Sequence, residues 1–424
     1  MPVRTSRTGA THPQYDTASS GHLRWAVPPL TPRTMHVNPP HETATAGSDL
    51  AEPEVPPTSG ESGRRRMWRR VLLLWSLSRL VTVGLGLLVT SQLAWHRHVE
   101  SWQTQPWQAL TGWDSVYYID ISHVGYLPGS DSVAFFPLYP LLISIVHLVP
   151  EAGDAIAALS VSALTLLAAM VGLYTLGKER LSEELAWRAV VYLILSPFAF
   201  VFSLAYTEGL FLALAVWIFV FVDRDRPASA AALALLAGLS RVTGLALVLP
   251  LAYIAYRRRS VPWAIAAAMP AIGFGMFAAL LHRDVGDALA MIHVQSEWGG
   301  HPSVPPLALV SELVDFASDH QPIHLLSVLA VFIYLGLLVP ILRRPIFARH
   351  RVEDTLYVGC VFAMPLLAGV LQSSGRFGLV AFPLFFALAD LGMRHRTMHQ
   401  VYVVFAPVAQ VLLFAYVALG YLVP

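Results

Sequence analysis

The sequence predicts an all-α polytopic membrane protein with about eleven transmembrane helices. Three observations carry that reading. The 424 residues are 55% hydrophobic and only 13% charged, whereas soluble domains carry roughly a quarter charged residues. Apolar runs of about the length a bilayer demands, ~20 residues, recur from residue 71 to the end of the chain. The charges between those runs are largely arginines in short clusters, the pattern that marks cytoplasmic loops. The formal net charge of +1 says nothing about partners; the placement of the arginines does.

The N-terminal end differs in kind. Residues 1–63 are rich in Pro, Ser, Thr, Gly and His and poor in aliphatics. Such a segment buries too little apolar surface to offset its ordering entropy. The expectation is therefore a disordered cytoplasmic tail over 1–66, followed by one multi-span membrane domain over 67–424. Residue usage is also skewed: Lys178 stands alone against 27 arginines, and Asn38 is the one asparagine. That skew reads as a GC-rich, bacterial coding bias, which places the chain in a bacterial plasma membrane. Cys360 is the single cysteine, so a disulfide framework and a cysteine-based metal site are excluded.

The first span, at about 71–95, follows "GRRRMWRR", which puts the N-terminus inside. Residues 96–154 then form a first outer loop. Within it "AFFPLYPLLISIVHLVP" (134–150) is short and carries prolines at 137 and 140, so it reads as an interfacial helix rather than a span. With that choice the arginines sort to one side. Spans follow at about 155–177, 189–205, 209–222, 228–240, 243–256 and 261–281. A long outer loop, 282–322, precedes four more spans. Several of these stretches are short enough to be tilted or broken, as happens beside a cavity.

Apart from loop residues Arg97 and Arg283, two arginines break the inside-positive pattern, Arg241 and Arg376. Both fall at outer ends of spans, as does Glu208. Charges at such places are costly and usually functional. The first outer loop adds "GWDSVYYIDISHVGY" (112–126), with Asp114, Asp120 and His123. Carboxylates can act as general bases, and arginines can grip a phosphate through paired, charge-assisted hydrogen bonds. A site with both, open to a bilayer, suits transfer from a lipid-linked phosphate to an alcohol. Plainer roles compete at each position. Asp114 is also a good helix cap. Asp120, six residues on, faces away from Asp114, and His123 shares its face and could pair with it. Glu208 and Arg241 could form a structural ion pair, and Arg376 could anchor at the headgroups. Asp223 and Asp225 in "DRD" imitate a metal motif but sit in a tight cytoplasmic turn. Outer-loop histidines 282, 293 and 301 lack ligand spacing, so no metal or other cofactor is assigned, although a divalent ion would suit such chemistry.

Five stretches carry a resemblance: "WDSVYYIDISHVGY", "AFFPLYPLL", "LSPFAFVFSLAYTEGLFLAL", "LALLAGLSRVTG" and "SGRFGLVAFPLFFAL". They resemble, in order, blocks of the PIG-V-like membrane mannosyltransferases, relatives of the GPI mannosyltransferase within the GT-C superfamily. The resemblance implies a GT-C-like fold and a polyprenyl-phosphate sugar donor, usually of mannose. It also implies inverting transfer on the non-cytoplasmic face to a glycan, glycolipid or glycoprotein acceptor. It makes Asp114 the catalytic carboxylate and maps the family's Tyr-Ser/Thr-Glu onto Tyr206-Thr207-Glu208 and its arginine block onto Arg241. The substrate-binding candidates are Trp113, His123, Tyr126, Glu208, Arg241 and Arg376. The chain departs from the family pattern at Ser122-His123-Val124 and at Val242. Membrane lipids are the other expected partners, with no nucleic acid. The rival class is a transporter or lipid-linked sugar flippase, which commonly shows internal repeats and midplane charges; neither is visible here.

Overall fold

The computed structural model describes residues 59–97, 107–297, 303–369, 371 and 374–420. Contacts divide the chain into Met1–Pro56 and Pro57–Pro424, and the described residues belong to the second unit. The expected disordered tail falls mainly outside them. Residues 59–66, however, are helical, so the first helix starts ahead of the boundary drawn at residue 67.

Every regular element among the described residues is helical. The helices are α1 (Ser59–Arg97), α2 (Asp114–Val124), α3 (Leu138–Val146), α4 (Asp154–Arg180), α5 (Glu183–Leu195), α6 (Glu208–Asp223), α7 (Pro227–Ser240) and α8 (Val248–Arg258). They continue as α9 (Val261–Val285), α10 (Ala290–Glu297), α11 (Pro305–Asp319), α12 (Pro322–Arg343), α13 (Arg351–Leu367), α14 (Ser374–Val380), α15 (Pro383–Arg394) and α16 (Arg396–Ala418).

Among the described residues, five helices (α1, α4, α9, α12 and α16) are long and apolar enough to cross a membrane. The pair α14 and α15, bent by 84°, makes a sixth if it is one span. Length and composition thus support five or six spans, where the sequence suggested about eleven. The other expected spans are helical but short, and the breaks have local causes. Helix α5 stops at Leu195 because Ser196 precedes a proline and takes ψ 142, off the helical region. Arg241, at φ −173 and ψ 163, ends α7 and starts a 3-10 stretch, Val242–Leu247, before α8.

Helix α6 is the core. Nearly all its residues are buried, as expected of a helix apolar all round. Phe219 meets Phe382 at 5.2 Å and Tyr357 at 5.5 Å, an aromatic cluster joining α6, α13 and the turn before α15. Helices α4, α7 and α14 pack around it. Helices α7 and α9 approach closely because their facing residues are small. A Cβ on Gly238 would strike the Pro270 carbonyl oxygen, and one on Gly273 would strike that of Leu235. Such small-residue seams let helices associate in lipid without a hydrophobic driving force. At the far end of α6, Arg180 bonds Asp223 in two places, at 2.6 and 3.0 Å, and Asp354 at 2.9 Å, closing that end of the bundle with charge.

Helix α3 has nine residues, or ~13 Å, too short to cross a membrane. Leu138, Tyr139, Pro140 and Ile143 are buried, while Leu141 and Ile145 are exposed, as are Leu148 and Val149 in the turn that follows. The helix is therefore apolar on both its packed and its bare side.

Candidate active site

The site begins with a backbone distortion. Trp113 has φ 57 and ψ −130, a conformation that costs a non-glycine residue ~1–3 kcal/mol. It turns the chain into α2 so that Asp114 is the first helical residue. Residues 107–112 are tied to the segment leading into α6 by Ala205 N–H, which donates to the Leu110 carbonyl at 3.2 Å. Two segments far apart in sequence, one bearing Asp114 and one bearing Tyr206-Thr207-Glu208, are thereby held side by side.

Four charged side chains converge there. Arg376 Nη1 donates to Asp114 Oδ2 at 2.8 Å. Glu208 Oε1 lies 2.8 Å from Arg241 Nη1 and 3.8 Å from Arg376 Nε. Glu208 is therefore flanked by two guanidinium groups, and Asp114 takes the outer side of one of them. The set is formally neutral, with two carboxylates and two guanidiniums. Asp114 is the most open, with 25% side-chain exposure, against 2% for Glu208. Aromatic faces back both arginines: Tyr206 lies 5.5 Å from the Arg376 guanidinium and Phe377 lies 5.4 Å from that of Arg241. Such contacts favour the cation and fix its plane.

Buried hydroxyls without a protein hydrogen-bond partner flank these residues: Ser115 beside Asp114, Thr243 close after Arg241 and Ser374 close before Arg376. Glu208 Oε2 is in the same position. Buried polar atoms are otherwise almost always paired, so this concentration suits a polar ligand.

The site is recessed. A Cβ on Gly209 would touch Ser162 and Thr165 of α4 at 3.3–3.4 Å, and Ser162 Oγ donates to the Tyr206 carbonyl at 3.3 Å. Ser162 is eight residues into α4, so the start of α6 lies ~12 Å below the start of α4. Helix α3 occupies the level above, with the Tyr139 hydroxyl bonded to Ala158 O at 2.8 Å and Ser162 Oγ at 2.6 Å.

The structure thus joins Asp114, Glu208, Arg241 and Arg376. The pairing of Glu208 with Arg241 considered from the sequence is present, but within a larger set. Arg376 is 16% exposed and points at Asp114, which does not suit a headgroup anchor. Trp113 stands half exposed beside Asp114. The other candidates lie elsewhere. Tyr126 is buried and donates to the Phe135 carbonyl at 2.7 Å, bracing the first loop. His123 is at the opposite end of α2 from Asp114. It pairs with Asp154 at 2.9 Å and not with Asp120, which is exposed. Asp223 and Asp225 are engaged by Arg180 and Arg258. His301 lies outside the described residues.

Two neighbours were not anticipated. Arg79, within the first span, donates to the Phe202 carbonyl at 2.6 Å and so supports the turn that leads to Tyr206. The signal was available: an arginine inside an apolar run. Tyr118, whose hydroxyl lies 3.5 Å from Thr207 Oγ1, carries no sequence mark beyond its spacing from Asp114.

Residues 71–258 match the family model described as Mannosyltransferase (PIG-V). Over that stretch the chain is PIG-V-like. The match supports a membrane mannosyltransferase and takes in Asp114, Tyr206, Glu208 and Arg241. Arg376 lies beyond the PIG-V-like stretch, yet it is the residue that touches Asp114. No curated protein matches the chain.

Proposed function

We propose that the protein transfers a hexose, in keeping with its family mannose, from a polyprenyl-phosphate donor to a hydroxyl acceptor with inversion at the anomeric carbon. Asp114 is the base. The acceptor oxygen attacks C1 of the sugar, and its proton passes to the Asp114 carboxylate. The C1–O bond breaks on the opposite face, both electrons leaving with the polyprenyl phosphate. Arg376, backed by Arg241, binds that phosphate and offsets the charge it gains. Glu208 holds the two arginines apart and aligned.

One observation carries the reading: the most exposed carboxylate of the group is in direct contact with an arginine at the recessed end of the core helix. A phosphate that takes the hydrogen bonds of Arg376 releases Asp114 to meet a hydroxyl. The arginine distribution supports a cytoplasmic N-terminus and a site on the non-cytoplasmic face of a bacterial plasma membrane. Purified protein in lipid, given polyprenyl phosphate bearing labelled mannose and a glycan or glycolipid acceptor, should move label to the acceptor. Label that crosses the bilayer while still on the carrier would favour a flippase and overturn the proposal.

A further inference from the structure

Away from Asp114, the first loop gathers three helix ends. His123 is near the C-terminus of α2, His147 follows α3, and Asp154 opens α4. His123 Nε2 lies 2.9 Å and His147 Nε2 lies 3.2 Å from the same oxygen, Asp154 Oδ1. One ligand atom from each residue falls within 4.8 Å of the others. The two imidazoles lie nearly parallel, with centroids 4.9 Å apart. His147 Nε2 is buried and makes no well-formed hydrogen bond despite its closeness to the carboxylate.

We propose that His123, His147 and Asp154 bind one divalent transition-metal ion, Zn²⁺ foremost. Ligands at about 2.0–2.1 Å around a tetrahedral ion stand about 3.3 Å apart. The observed 2.9 and 3.2 Å separations are close to that edge length. Two imidazoles and one carboxylate suit borderline ions such as zinc, while Mg²⁺ and Ca²⁺ prefer all-oxygen shells. The negative ends of α2 and α3 face the group and favour a cation, while the opposing positive end of α4 is offset by the Asp154 carboxylate. His123 and Asp154 have side-chain exposures of 47% and 53%, so the fourth position is open to water.

The ion clasps the first loop; it is not part of the transfer chemistry. His123 stands nine residues from Asp114 along α2, ~13 Å by helical rise. Ser144 Oγ already donates to the Ser122 carbonyl at 2.9 Å, linking α3 to α2. The metal adds α4 to that link and so fixes the far end of the helix that begins with Asp114.

The test uses full-length protein purified without a histidine tag, stripped with chelator and titrated with Zn²⁺ and with Co²⁺. One ion per chain should bind, with cobalt giving the visible bands of a low-symmetry nitrogen and oxygen shell. His123→Ala, His147→Gln and Asp154→Asn should each weaken zinc at least tenfold, and a hundredfold excess of Mg²⁺ should not displace it. His293→Ala, in the second loop, serves as the control and should leave affinity unchanged. Absence of stoichiometric zinc binding by the unaltered protein would overturn the proposal. So would affinity unmoved by all three substitutions. Helical circular dichroism and thermal unfolding of each variant, unchanged from the unaltered protein, separate loss of a ligand from a loosened fold.

Discussion

Replacing Glu208 by Gln removes one negative charge from a neutral set of four. The remaining groups are two guanidiniums, 12% and 16% exposed, and a single carboxylate, Asp114. Glu208 sits 2.8 Å from one guanidinium and 3.8 Å from the other, so its charge is what lets both stay buried. Removing one partner of a buried pair costs about 3–5 kcal/mol, mostly because the other charge is left uncompensated. Residual exposure and the aromatic faces behind the arginines place Glu208→Gln near the lower end, about 3 kcal/mol. Arg241→Gln should cost a similar amount, with the opposite residual sign. The double substitution restores neutrality, so its cost should fall short of the sum of the single ones by at least about 1 kcal/mol, within the range for side chains in contact. The assay is reversible unfolding in mixed detergent micelles, followed by helical circular dichroism. Single substitutions within about 0.5 kcal/mol of the unaltered protein, or strictly additive costs, would refute the account of a mutually compensated quartet.

Asp114→Asn keeps the side-chain shape and removes the base, so turnover should fall by about 10²–10⁴-fold while donor affinity, measured by equilibrium binding, persists; near-normal turnover would remove Asp114 from the reaction. Gly273→Ala should destabilise the fold by about 1–3 kcal/mol, since its Cβ would meet the Leu235 carbonyl in the α7–α9 seam; the check is detergent thermal unfolding beside Gly275→Ala, whose Cβ meets nothing. In a Cys360→Ser background, Ser130→Cys should react with an impermeant thiol reagent from outside intact cells and Ser182→Cys should not. The reverse labelling would invert the proposed topology.

The charged residues at span ends were legible because a charge in an apolar setting stands out one residue at a time. Glu208, Arg241 and Arg376 could be marked that way without knowing what each one met. Contacts across long separations were not legible: nothing in the sequence says that Arg376 reaches Asp114, 262 residues away. Arg79 carries the same mark as Arg241, a charge within an apolar run, but its partner, the Phe202 carbonyl, is 123 residues away and equally invisible in the sequence. Helix length and composition account for five or six of the expected spans, and the shorter ones are broken locally. Hydropathy registers that 189–205 is apolar, but Ser196-Pro197 breaks that stretch locally, while Arg241, expected between two spans, takes an extended backbone there. Buried segments of a broken helix are as apolar as whole spans. The His123 and Asp154 contact escaped because helical periodicity relates His123 to Asp120 on its own helix, while the partner comes from the next layer.

The recess of the α6 start, ~12 Å below that of α4, has a consequence for ionic strength. Mobile ions screen exposed charges over a Debye length of about 8 Å at physiological salt but reach buried pairs far less. Glu208, at 2% side-chain exposure, is screened far less. Added salt therefore weakens attraction at the exposed arginines of α1, Arg64 to Arg66 and Arg69 to Arg70, while the Glu208 pairs keep nearly full strength. Within one chain, the exposed arginine cluster of α1 and the buried Glu208 quartet answer to different surroundings.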